Sequence, residues 1–136
     1  MSVQEIQQEI IEEFEMFDDW NDKYEYIINL GQELSGLDKD YHTDQYKIKG
    51  CQSQVWLRAE YRDGKIIFQA DSDALIVKGL IALLLRVYSE QAPEEILNNP
   101  PLFFNSIGLT QHLSPMRSNG LSSMVKKIGE YAEQYK

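Results

Sequence analysis

Cys51 is the only cysteine in the chain and its only strong candidate for a nucleophile. It sits in Ile48-Lys49-Gly50-Cys51-Gln52-Ser53-Gln54-Val55-Trp56, between a glycine and a polar run. A cysteine retained for packing behaves as a small hydrophobe and sits among others. Gly50 can take a positive φ and turn the chain sharply. The pattern therefore places Cys51 on a turn beside a strand, within reach of a partner. The reactive form is the thiolate, which exposure and nearby positive charge favour. Lys49 brings one such charge close in sequence. Gln52, Ser53 and Gln54 can shape the loop, and their amides and hydroxyl could also steady a sulfur anion.

Other chemistries have weaker support. His42 and His112 are far apart, and no second cysteine completes a zinc or iron–sulfur ligand set, so neither a metal nor an organic cofactor is expected. A cysteine–histidine hydrolase would need His112 and an acid to reach Cys51. No protease signature surrounds the cysteine, and His112 reads better as a structural or interface residue. A third class is a non-catalytic interaction domain with an incidental thiol, in which Cys51→Ser would leave function intact. Asp71-Ser72-Asp73 reads foremost as a helix cap, and Arg117 as a solvated charge near a helix start.

These residues need elements to position them. Val3, Ile6, Ile10, Phe14 and Phe17 recur at helical spacing, and a second helix is predicted over roughly 19–35, with Gly36 as its stop. Two helices so briefly linked are expected to pack as an antiparallel pair. A polar loop, 36–44, leads to three strand candidates: 45–49, 53–62 and 65–70. Asp63-Gly64 between the last two is a strong hairpin signal. The simplest arrangement is a three-stranded antiparallel meander with Cys51 at the tip of its first connection. Apolar residues on more than one face mark 71–89 as the central helix, capped by Asp71 or Ser72. A short helix starts at Pro93, another turn follows Pro100-Pro101, and a last helix is expected from about Asn119.

The whole chain, 1–136, reads as one α+β domain, with helices from both termini on one side of the sheet. A net charge of −9 and a pI near 4.6 argue against nucleic acid and anionic membranes as partners. A lone cysteine and the lack of a signal-peptide pattern point to a reducing cytoplasm.

The run 50–56 resembles the active-cysteine loop of the SufE family. Three further stretches match in the same order: Trp20 to Gly31, Asp71 to Leu80 and Leu109 to Leu121. The resemblance covers nearly the whole chain. It implies the SufE/IscU-like two-layer fold that three-cysteine iron–sulfur scaffolds share. It implies a sulfur acceptor and activator that is not itself an enzyme. Cys51 would take persulfide sulfur from a cysteine desulfurase and deliver it to an iron–sulfur cluster scaffold, or to a pathway other than cluster assembly. Pyridoxal phosphate would belong to the desulfurase. Gly50, Gln52, Ser53 and Gln54 would support the loop. Asp71, Ser72, Asp73, His112, Arg117 and Asn119 would face the partner, with Arg117-Ser118-Asn119 as a turn. Met116 departs from the family pattern, where a smaller residue is usual.

Overall fold

A computed structural model describes all 136 residues. Seven helices and one hairpin make an α+β fold. Helix α1, Val3–Glu15, opens on a capping box in which the Ser2 hydroxyl and the Glu5 carboxylate exchange bonds with backbone N–H groups. Helix α2, Trp20–Glu33, starts at Asp19, whose carboxylate accepts from Asp22 N at 2.9 Å. A 3-10 turn at Lys39–Tyr41 follows.

Strands β1, Val55–Arg62, and β2, Lys65–Ser72, pair antiparallel from Val55↔Ser72 to Arg62↔Lys65. Asp63 (φ 54°) and Gly64 (φ 80°) join them, and two successive positive φ values match the twist of a tight hairpin. Val55 and Leu57 of β1 and Ile66, Phe68 and Ala70 of β2 are buried toward the helices.

The predicted third strand does not form. Only a single bridge, Lys47↔Trp56, joins 45–49 to β1, held by Ile48 N to Val55 O at 2.8 Å and Leu57 N to Tyr46 O at 2.9 Å. A turn closes at Tyr46 and Lys47, both donating to Thr43 O, and Gly50 (φ 90°) bends the chain away. The segment between these bends is too short for a ladder. The sheet has two strands.

Helix α3, Leu75–Tyr88, is the core element, buried on several faces as its sequence predicts. Its neighbour is α2. At their crossing, an ideal Cβ on Gly79 would lie 2.1 Å from Ile27 O, and one on Gly31 2.6 Å from Gly79 N. Only glycine lets two helix backbones approach so closely. Helix α2 thus takes α3 as partner, and the expected α1–α2 pair reduces to a corner where Phe14 and Phe17 meet Tyr26. Arg86 ties α3 to α1 through Glu9 (2.6 Å) and Glu13.

The short helices α4 (Pro93–Asn98), α5 (Phe103–Ser106) and α6 (Leu109–His112) lead to α7, Pro115–Tyr135. Helix α7 begins earlier than 119. Ser114 caps it, accepting from Arg117 N at 3.3 Å, and Pro115 fills the first helical position. Arg117 and Asn119 therefore lie within the first turns of a helix. The far end of α7 returns to the sheet, where the Tyr131 hydroxyl donates to Leu57 O at 3.1 Å.

Candidate functional site

The loop carrying Cys51 leaves the bridge at Lys47, turns at Gly50 and enters β1 at Val55. Both ends are held. At the first, Ile48 N donates to Val55 O at 2.8 Å, and Gly50 then takes a φ of 90° where a Cβ would meet Ser123 Oγ of α7 at 2.5 Å. At the second, Gln54 N donates to Asp73 Oδ1 at 3.0 Å, while Gln54 O accepts from Ser72 Oγ at 2.8 Å and Asp73 N at 3.3 Å. Ser72 Oγ also accepts from Ala74 N at 3.3 Å.

Ser72 and Asp73 therefore clamp the cysteine loop, while the Asp71 carboxylate accepts from Ser72 N and Leu37 N instead. The N-cap of α3 is Ala74, with no side-chain cap bond, because β2 continues through Ser72 and commits the predicted capping groups elsewhere.

Between its two anchors the loop presents Cys51 to a cleft of about 280 Å³, lined by Cys51, Gln52, Ser53, Val77, Arg117 and Gly120 among others. Cys51 Sγ lies 3.5 Å from Gly120 O, in reach of a weak S–H···O bond. A Cβ on Gly120 would stand 3.5 Å from the sulfur, so the missing side chain lets the thiol lie against the helix backbone. The thiol is half-buried, and that burial pushes its pKa up. At rest, then, the site partly shelters the thiol and disfavours its anion. Lys49 does not offset this, since it lines a different groove.

Arg117 stands at the cleft, exposed and joined to no carboxylate. The N-terminus of the 21-residue α7 adds its own partial positive charge at the same place. Arg117 and the first turn of α7 thus line the cleft that the sulfur faces. Met116, 56% exposed, and Leu75, 62% exposed at the start of α3, add large apolar groups to this end of the molecule. Sequence reasoning missed Gly120, although Ser114-Pro115 announces a helix start that would have placed it one face inward of Arg117.

Asp71, His112 and Asn119 stand outside the cleft lining, as do Gly50, Gln54, Ser72 and Asp73. The Asp71 carboxylate, 17% exposed, lies 3.2 Å from Lys78 Nζ and 3.2 Å from His42 Nε2. The His42 N–H does not point at it, so that contact is one of proximity and not an aligned hydrogen bond. Burial pulls the Asp71 pKa upward, but the bond from Ser72 N, together with Lys78 and Leu37 N, outweighs it and the net shift is downward. His112 stacks on Trp20 at 3.9 Å, and its carbonyl accepts from the Tyr24 hydroxyl. Asn119 is exposed on α7, and its carbonyl accepts from Ser123 Oγ at 3.1 Å. His42 stacks on Trp56 at 4.2 Å. Neither histidine lines the cleft, so no cysteine–histidine pair is assembled. No three histidine, cysteine or acidic side chains converge as a metal-ligand set.

A family model described as the SufE Fe-S metabolism associated domain matches residues 8–132. Two uncharacterized SufE-like proteins align over 130 residues. That of Rhizobium meliloti is 40% identical, spanning 92% of this chain and 93% of its own. That of Rhizobium etli is 43% identical, spanning 92% and 88%. The chain belongs to the SufE family. The association of SufE with iron–sulfur metabolism comes with that membership. A hypothetical protein from Thermus thermophilus, solved in solution, superposes with a TM-score of 0.79 at 18% identity, covering 96% of this chain and 95% of its own. At that identity the likeness establishes the fold alone. No helix is long and apolar enough to cross a membrane.

Proposed function

We propose that this SufE protein accepts persulfide sulfur on Cys51 from a cysteine desulfurase, stimulates that enzyme, and passes the sulfur on for iron–sulfur cluster assembly. One observation carries the reading. The only thiol of the chain lies on a loop pinned at both ends, in an open cleft beside an unpaired arginine and without a histidine or metal-ligand set. That arrangement suits a sulfur-to-sulfur exchange, which needs a thiolate and access but no separate base.

The Cys51 thiolate attacks the outer sulfur of the desulfurase persulfide. A bond forms between Sγ and that sulfur, the old sulfur–sulfur bond breaks, and the desulfurase thiolate leaves with the electron pair. Any proton on the outer sulfur stays on it as it moves to Cys51, and no net oxidation occurs. Delivery is the same exchange with an acceptor thiol in the attacking role.

The raised thiol pKa fits a carrier that must not react at rest. Burial disfavours the Cys51 thiolate, and docking that draws the loop from Gly120 exchanges that burial for the partner's surface, with Arg117 at the cleft to favour the anion. No resident cofactor is needed, since the pyridoxal phosphate of the first half-reaction belongs to the desulfurase. Asp73, Arg117 and Asn119 are exposed and remain available to the partner. Asp71 acts from within, by holding the loop's surroundings.

The test is desulfurase turnover, measured with saturating cysteine against increasing amounts of wild type or Cys51→Ser. Stimulation by the wild type and none by the variant supports the reading. Equal stimulation by both means that Cys51 is not the acceptor.

A further inference from the structure

Beside the cysteine loop lies a second groove, of about 660 Å³, whose composition is unlike the rest of the chain. It is lined by Lys47, Lys49, Lys126 and Lys127, with Asp44 and Glu130 as its only acids. Four of the chain's 13 lysines and arginines thus gather where only two of its 22 acids do. Lys47, Lys49 and Lys126 are exposed, and none of them pairs with a carboxylate. Only Lys127 has an internal partner, Glu130, at a loose 3.9 Å. In a chain of net charge −9, where acids are abundant, like charges left together and unpaired are a cost to the folded state unless something outside balances them.

The position of the groove is as informative as its charge. Gly50 and Ser123 line it, and these two residues form the hinge contact of the Cys51 loop. The groove and the cysteine cleft share no residue, yet they occupy adjoining faces of α7. Gly120 and Met124 face the cleft, while Ser123, Lys126, Lys127 and Glu130 face the groove. A partner seated in the groove would thus sit against the hinge and within reach of the sulfur. Extended polyanions fit poorly, because the surrounding surface repels a nucleic acid or an anionic membrane outside this patch. A short acidic stretch on a folded protein meets the lysines alone.

We propose that the Lys47–Lys49–Lys126–Lys127 groove is a docking surface for an acidic face of a protein that exchanges sulfur with Cys51. This inference deepens the sulfur-transfer reading and rests on it. Docking there pulls opposite charges together next to Gly50, so it steers encounter and orients the partner toward the loop. At physiological salt the attraction reaches about 8 Å, enough to act across the groove but not the whole molecule.

The experiment compares Lys47→Glu/Lys126→Glu with Lys39→Glu/Lys65→Glu. Both pairs make the same change in net charge using exposed lysines, the second pair outside the groove. All proteins carry Cys51→Ser, so binding is read without sulfur chemistry. Affinities for the purified desulfurase and for the purified sulfur-receiving scaffold are measured by calorimetry at low and at physiological salt, with circular dichroism confirming the fold. The proposal expects the groove pair to weaken binding to one of the two proteins by about tenfold or more, to flatten its salt dependence, and the control pair to do neither. Equal losses from both pairs would reduce the effect to net charge and overturn the proposal, as would unchanged affinity for both proteins. A DNA duplex bound more tightly than either protein would overturn it too. Sulfur loading of the wild type, and of a groove variant with Cys51 intact at saturating desulfurase, should both go to completion. A wild type that takes no sulfur under the same conditions would count against the sulfur-transfer reading and not against the groove.

Discussion

Gly50→Ala tests the hinge that aims Cys51. Two costs can be assigned. A non-glycine residue at a φ of 90° is held in a sparsely populated region, worth about 1–3 kcal/mol. The new Cβ would also stand 2.5 Å from Ser123 Oγ. That contact can be relieved, because a hydroxyl at the end of a rotatable side chain swings away and Ser123 Cβ itself would be a tolerable 3.4 Å distant. Swinging it away breaks the 3.1 Å bond to Asn119 O, at about 0.5–1.5 kcal/mol. The sum is a loss of about 1.5–4.5 kcal/mol, read by urea unfolding. Ser123→Ala alone should lose about 1 kcal/mol. The double variant should lose no more than Gly50→Ala, because the bond is already gone, giving a coupling of about 1 kcal/mol. Alkylation of Cys51 should quicken in Gly50→Ala as the loop lifts from Gly120. A Gly50→Ala protein within about 0.5 kcal/mol of wild type, with unchanged alkylation, would refute the idea that this backbone position sets the sulfur's place.

The pH dependence of alkylation supplies a second test. Burial raises the folded-state thiol pKa, so the alkylation midpoint should lie above the usual value near 8.5 and return to it in denaturant. By linkage, the stability Cys51 adds through its protonated form is present below the unfolded pKa and fades as pH rises through the folded one, so wild type should lose ground to Cys51→Ser on going alkaline. Gly79→Ala should destabilise the protein by about 3 kcal/mol or more, because the nearest atom, Ile27 O at 2.1 Å, is backbone and cannot swing aside. Arg117→Ala should leave the circular dichroism spectrum unchanged and weaken desulfurase stimulation in titration, by about 1–3 kcal/mol if the contact is central.

Local patterns made much of this legible in the sequence. Asp63-Gly64 determines its own turn, and the apolar periods read over 3–17, 19–35 and 71–89 mark helices whatever they pack against, with bounds that the structure trims to 3–15, 20–33 and 75–88. What escaped depends on partners distant in sequence. The 45–49 run has strand-like residues, but a strand needs room to form a ladder, and the Thr43 turn and Gly50 leave space for one bridge. Asp71-Ser72-Asp73 looks like a cap because cap and clamp use the same oxygen atoms, and the run of β2 beside β1 commits Ser72 and Asp73 to Gln54. The α2–α3 contact was hidden in Gly31 and Gly79, which mean little until they face each other. Cys51 and Arg117 were brought together by resemblance, and the cleft joins them. Neither histidine could be placed from sequence, since stacking on Trp20 or Trp56 leaves no local signature.

The central claim is that Cys51 carries the sulfur, and intact mass tests it most directly. After incubation with an active desulfurase and cysteine, the wild type should gain the mass of a sulfur atom and lose it again on treatment with a reducing thiol, while Cys51→Ser gains none. Sulfur retained on Cys51→Ser, or a wild type that stays unmodified while the desulfurase turns over and binds it, would contradict the account.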